Sequence, residues 1–208
     1  ADVRLVLITG SGDSFTAGND LADFASGTVP LNDQHPAPQF MRALMAVPQP
    51  VVAAVNGPAI GIGTTLLLHC DLVYASDQAL FQTPFVSLGV CPEFGASVLL
   101  PQRIGVALAN EMLLTGRKLD ALAALKAGLI NGVYSMERFD DEMTDLIRSL
   151  LALPPGAMAA SKALLHGFGK DSLHQVISEE LAVFAQCLAG DECRGIFKAL
   201  AAKRQKGG

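Results

Sequence analysis

The sequence predicts an α/β fold that gives way to an all-helical region, and three observations carry the prediction. Short β-branched and aliphatic runs recur at residues 3–9, 51–55, 72–75, 80–82 and 129–134, bounded by turn-forming residues. Helical patterns alternate with them, as in an α/β core. Beyond Tyr134 only helical stripes remain, which divides the chain into a core over residues 1–135 and a C-terminal helical region over residues 136–208. With half of its 208 residues apolar and 17% charged, the chain can bury a substantial core and is not of disordered composition.

Taken in order, residues 3–9 read as a buried strand closed by Gly10-Ser11-Gly12-Asp13, and Phe15-Thr16-Ala17-Gly18-Asn19-Asp20-Leu21 as a glycine-containing bend into a helix. Residues 50–63 repeat the scheme: a strand, then Asn56-Gly57-Pro58, then Gly61 and Gly63 leading into the apolar helix pattern of residues 64–69. Each strand-to-helix turn leaves backbone N–H groups without intrahelical partners. Small residues there let a ligand oxygen come close. In the helical region, Phe139, Met143, Leu146, Ile147, Leu150 and Leu151 share one face, and Leu173, Val176, Ile177, Leu181, Phe184 and Leu188 make a second stripe. Pro154-Pro155-Gly156 separates the two, and Ser172 with Gln175 forms a candidate capping box for the second. Both stripes read as core packing.

Glu93, in Gly89-Val90-Cys91-Pro92-Glu93-Phe94-Gly95, is the only acidic residue over residues 78–110. Taken from this loop alone, it reads either as a solvated tip or helix-start carboxylate, or as a buried one. Burial would raise its pKa into the range useful for moving protons at neutral pH. The two glycine-rich turns favour the second reading.

Together, the two turns and the Pro92-Glu93-Phe94-Gly95 loop resemble the crotonase (enoyl-CoA hydratase/isomerase) superfamily over nearly the whole chain. The resemblance implies a spiral of ββα units with a C-terminal helical region that helps form trimers, often paired into hexamers. It also implies an oxyanion hole made of one backbone N–H from each turn, falling here on Asn19 and Ile62, to hold the thioester oxygen of an acyl-CoA. Ala17, Gly18, Asn19, Asp20, Leu21, Gly61, Ile62 and Phe85 are then the substrate-binding positions, with the pantetheine passing along residues 17–21. Coenzyme A is part of the substrate, and no separate cofactor or metal is expected. Roughly fifty residues that usually precede this point in the family, about one and a half ββα units at ordinary element lengths, are expected to be missing.

Hydratases of the family use two carboxylates, because adding water needs both activation and protonation. The corresponding positions here hold Thr65 and Phe85. Glu93 lies a few residues later, where it resembles the peroxisomal type of Δ3,Δ2-enoyl-CoA isomerase, as do Gly18-Asn19-Asp20-Leu21, Thr83-Pro84-Phe85 and, more weakly, Ser161-Lys162. The implied chemistry is proton transfer by Glu93 in a 3-enoyl-CoA, with Phe85, Val90, Phe94 and Val98 as its apolar wall and Phe24, Phe40, Met41 and Leu44 setting acyl length. Another crotonase-type reaction (hydration, hydrolysis, dehalogenation or decarboxylation) and a non-catalytic acyl-CoA binding module are the alternatives.

Other readings fail on the residues. A net charge of −5 gives no general basic surface for nucleic acid. No charge lies between Arg42 and Asp71, but prolines and Asn56 break that stretch well short of the roughly 20 apolar residues a membrane span needs. Gly10-Ser11-Gly12 starts like a dinucleotide fingerprint, yet Phe15 stands at the third glycine. Cys70, Cys91, Cys187 and Cys193 lack disulfide or ligand spacing and read as free thiols, with Cys91 lining the acyl pocket. His69 reads as a capping or core histidine. With neither a basic-then-apolar leader nor a peroxisomal address, the expected location is the cytoplasm, of a bacterium in preference to an importing organelle.

Overall fold

The computed structural model describes residues 3–20, 35–167 and 169–206. Four parallel strands, β1 (Val6–Thr9), β2 (Val51–Val55), β4 (Leu72–Ser76) and β7 (Gly132–Tyr134), lie side by side in the order β1-β2-β4-β7. A second sheet has the order β3-β5-β6, from Ala59–Ile60, Leu80–Gln82 and Leu119–Asp120, with β3 and β5 parallel and β6 antiparallel to β5. Successive turns of the chain place one strand in each sheet before a helix. Thus β2 and β3 lead into α2 (Ile62–Thr65), and β4 and β5 precede α3 (Ala96–Ile104) and α4 (Val106–Thr115). The unit before them follows suit: β1, then a parallel bridge from Thr16 to Ala59, then α1 (Pro36–Met45). This is the expected spiral of ββα units.

β2 is buried along its whole length because both sheet faces are covered. Val51, Ala53 and Val55 join the main core, while Val52 and Ala54 pack with Phe139 and Met143 of α6 (Phe139–Leu151). Alternate residues facing opposite ways explain the unbroken apolar run. The remaining helices are α5 (Ala121–Ala127), α7 (Pro155–Gly167), α8 (Lys170–Ala189) and α9 (Asp191–Lys206). Ile177, Phe184, Cys193 and Phe197 from α8 and α9 belong to the same core as the sheets. Asp71 pins α7 to the start of β2: it accepts from the Val51 N–H at 2.7 Å, Lys162 Nζ at 2.7 Å and His166 Nε2 at 2.8 Å.

Several sequence expectations need correction. The first strand begins at Val6, not Val3, because its partner starts at Val51, immediately after a proline that has no N–H to pair. The last strand begins at Gly132, since Asn131 spends its side chain on the Val73 N–H, and the third extends to Ser76, paired with Tyr134. The apolar pattern of residues 64–69 is a single α turn followed by a 3-10 turn, Leu66–His69. Pro155 and Gly156 open α7 instead of merely separating two helices; proline suits a helix start, where its missing N–H is not needed. Helix α8 starts at Lys170 after the left-handed Gly169, so Ser172 lies inside the first turn and Gln175 donates to Glu179; the capping box does not form. Leu151 is exposed at the end of its helix.

Candidate active site

The two glycine turns are laced together by backbone. Thr16 donates its N–H to Pro58 O at 3.1 Å, and Ile60 donates to Thr16 O at 3.0 Å. Asn56 secures the base by accepting from the Gly10 N–H and donating to Gly12 O. Glycine is what permits the close approach of the two turns. Gly18 sits at φ 90 with the site of a Cβ 2.8 Å from Ile60 O, and a Cβ on Gly63 would fall 2.4 Å from Thr16 Cγ2. Ile62 opens α2, so its N–H has no intrahelical acceptor, and the Asn19 N–H has no carbonyl partner among the described residues.

One cleft brings the two turns and the acid together. Ala17, Gly18, Asn19, Gly61, Ile62, Phe85 and Glu93 all line it. Asp20 is not among its lining residues, and Leu21 and Phe24 lie outside the described residues. Leu88, Val90, Phe184, Leu188 and Phe197 complete an apolar wall, the last three from α8 and α9. The wall therefore differs from the expected one. Phe94 packs behind the site, stacked on the His69 ring at 3.8 Å, and Val98 is 36% exposed. Met41 and Leu44 are core residues, and Phe40 lines a neighbouring hollow with Asn19 and Ile62. Cys91 turns away towards α8, its thiol 3.7 Å from Glu180 O, and does not line the cleft.

Glu93 is 3% exposed, and its surroundings set its proton affinity. Oε1 accepts from the Thr65 hydroxyl at 2.5 Å, while Oε2 is buried with no hydrogen-bond partner among the described residues. Burial drives its pKa from 4.5 up to about 8; the Thr65 hydrogen bond opposes the rise and the nearby Glu180 carboxylate adds to it. Such a group holds a proton near neutrality and can give one up or take one at little cost. Thr65 thus serves as a hydrogen-bond donor to the acid. His69 is partly buried and stacked on Phe94, its pKa lowered to about 4 chiefly by loss of solvent. Neutral His69 donates from Nε2 to Phe94 O at 2.7 Å.

One polar group at the site escaped the sequence reading. Glu180 of α8 accepts from the Gly95 N–H at 2.6 Å and the Ser97 N–H at 2.9 Å, at the start of α3. A signal existed: Glu180 falls between Ile177 and Phe184 at helical spacing, a carboxylate on the apolar stripe.

The sequence matches the family described as enoyl-CoA hydratase/isomerase over residues 1–206. The chain belongs to the enoyl-CoA hydratase/isomerase family. It is 36% identical to enoyl-CoA delta isomerase 2 of Rattus norvegicus over 210 residues, 99% of this chain and 54% of that protein. The chain spans about half the length of this curated relative. Among solved structures, Pseudomonas aeruginosa OdaA superposes with a TM-score of 0.90 at 42% identity, covering 95% of this chain and 80% of that one. An enoyl-CoA hydratase/isomerase from Pseudoalteromonas atlantica T6c gives a TM-score of 0.88 at 40% identity, covering 96% and 79%. Members of this enoyl-CoA hydratase/isomerase family share the spiral seen here. None of the helices among the described residues is long and apolar enough to cross a membrane.

Proposed function

We propose that the protein is a Δ3,Δ2-enoyl-CoA isomerase, moving the double bond of a 3-enoyl-CoA to the 2-trans position for fatty acid β-oxidation. The observation that carries this reading is one buried carboxylate, Glu93, lining the same cleft as Asn19 and Ile62, whose N–H groups have no carbonyl acceptor among the described residues. The thioester oxygen accepts from those two N–H groups, so charge developing on it in the enolate meets fixed donors. Ionised Glu93 removes a proton from C2, and the resulting acid returns that proton to C4. The double bond moves from C3–C4 to C2–C3, atoms balance, and the step calls for no water, metal or redox cofactor. Thr65 and Phe85 supply no second acid or base, which favours isomerisation over hydration.

The substrate is an acyl-CoA thioester, and the net charge of −5 argues against nucleic acid as a partner. We take the assembly to be a homotrimer or hexamer, consistent with Leu164 and Leu165 of α7 being 82% and 79% exposed. A cytoplasmic setting suits the four free cysteines.

The test is to incubate the protein with 3-hexenoyl-CoA and follow the conjugated 2-enoyl-CoA, with and without an added hydratase. The reading requires conjugated product to accumulate without hydratase. Release of free CoA, or hydration of 2-hexenoyl-CoA as fast as isomerisation, would point to another reaction of the family. Tight acyl-CoA binding without turnover would point to a binding module.

A further inference from the structure

The loop that presents Glu93 has an improbable backbone. Phe94 stands at φ 60 and Gly95 at φ 74, two consecutive left-handed residues of which the first is not glycine. Such a conformation persists only when its surroundings over-determine it. Three side chains from elsewhere in the fold do so: Thr65 holds the Glu93 carboxylate, His69 holds Phe94 O, and Glu180 holds the Gly95 and Ser97 N–H groups. The last contact is unusual in kind. Helix α3 has Gly95 at its N-cap, no side-chain cap of its own and no acidic residue in its first turn. Its orphan N–H groups are instead satisfied by a carboxylate from a helix over 80 residues later, one amide to each oxygen. Charge-assisted bonds at a helix N-terminus are among the stronger ones.

Resting on the role proposed for Glu93, we infer that Glu180 is a positioning residue: its carboxylate fixes the Glu93-Phe94-Gly95 turn and so aims Glu93 into the cleft. The C-terminal helix thereby reaches the reacting carboxylate as well as lining its pocket. Leu173 of the same helix seats the turn, since a Cβ on Gly95 would lie 2.8 Å from its Cδ1. Glu180 also acts through its field. Near Glu93 stand His69, stacked on the neighbouring Phe94, Cys91 two residues before it, and Glu180, the one whose charge acts on the Glu93 carboxyl. Of these, His69 is neutral and Cys91 is kept a thiol by burial, with its pKa raised to about 11. Loss of the Glu180 charge therefore makes Glu93 easier to ionise and a weaker base.

The decisive comparison is Glu180→Gln, which keeps the size of the side chain but removes the charge and turns an amide NH2 towards a backbone donor. Titration of the Glu93 carboxyl by carbon-13 NMR, in wild type and variant, should show the midpoint moving to lower pH. In parallel, kcat on 3-hexenoyl-CoA should fall on the order of ten- to a hundredfold, as a displaced catalytic group costs, with KM little changed. A folded variant in which Glu93 titrates as in wild type overturns the inference, whatever kcat does. Should the variant not fold, amide exchange in wild type decides: Gly95 and Ser97 must be protected, and free exchange like that of uncapped helix starts overturns it. If wild type does not isomerise 3-hexenoyl-CoA, the isomerase reading fails, while the Glu93 titration and the amide protection still report on Glu180.

Discussion

The two glycine turns and the Glu93 loop face the same cleft but are built on opposite principles. Around Asn19 and Ile62 the backbone does the holding: Thr16, Pro58 and Ile60 exchange main-chain hydrogen bonds, and glycines make the close approach possible. Around Glu93 side chains do it, with Thr65, His69 and Glu180 drawn from three other elements. A site part made of backbone tolerates side-chain change and fails only when an N–H is lost or a Cβ is forced in. A part made of side chains can be retuned one residue at a time.

The largest effect should come from the side-chain half. Glu93→Gln removes the base at constant size, so isomerisation should fall by about a hundred- to ten-thousandfold, the usual cost of losing a general base. Binding of an acyl-CoA, measured by calorimetry, should persist. Unchanged turnover would erase the distinction between the two regions. For the backbone half the contrast is internal to one position. Asn19→Ala should leave most activity, whereas Asn19→Pro, which deletes the N–H, should cost on the order of 3 kcal/mol in the barrier. The comparison holds for protein shown to be folded by circular dichroism. A folded proline variant with full turnover would mean that this amide touches nothing in the transition state.

A smaller effect sharpens the account of how Glu93 is tuned. The Thr65 hydroxyl favours the ionised carboxylate, so Thr65→Val should raise the Glu93 pKa further and move the acid limb of the rate profile to higher pH. A limb that moves down instead would mean that Thr65 stabilises the protonated acid. The smallest signal is in stability. The folded state holds the Glu93 proton up to about 8, whereas the ordinary value is 4.5, so this group's contribution is fully present below the lower pH and is lost as pH rises through the upper one. Urea unfolding of wild type should therefore lose ground to Glu93→Gln across that window. Parallel stability curves would place the carboxylate in contact with solvent.

The same contrast decides what could be read from the sequence. Glycines and an Asn-Gly-Pro turn between a strand and a helix are local signs, so both turns were legible from the residues, whereas the spiral and the choice of Asn19 and Ile62 came from the resemblance to the crotonase superfamily. Glu93 stood out because no other acid lies near it in the chain. Its clamp was not legible, because Glu180 is separated from Gly95 by 85 positions and reads in isolation as one polar residue on a mostly apolar stripe. Phe94 and Val98 were misplaced because the left-handed turn at Phe94 rotates them off the cleft, a conformation that nothing in a phenylalanine announces. Phe184, Leu188 and Phe197 took their place as the C-terminal helices folded back over the core.

The central claim, that one buried carboxylate moves the proton, is tested most directly by the pH dependence of kcat/KM for 3-hexenoyl-CoA. The free protein must have Glu93 ionised to act as base, so kcat/KM should climb with pH and level off above about 8. A profile already level above the ordinary carboxylate value of 4.5 would contradict the account, because the reacting base would then be a solvated group and not the Glu93 described here.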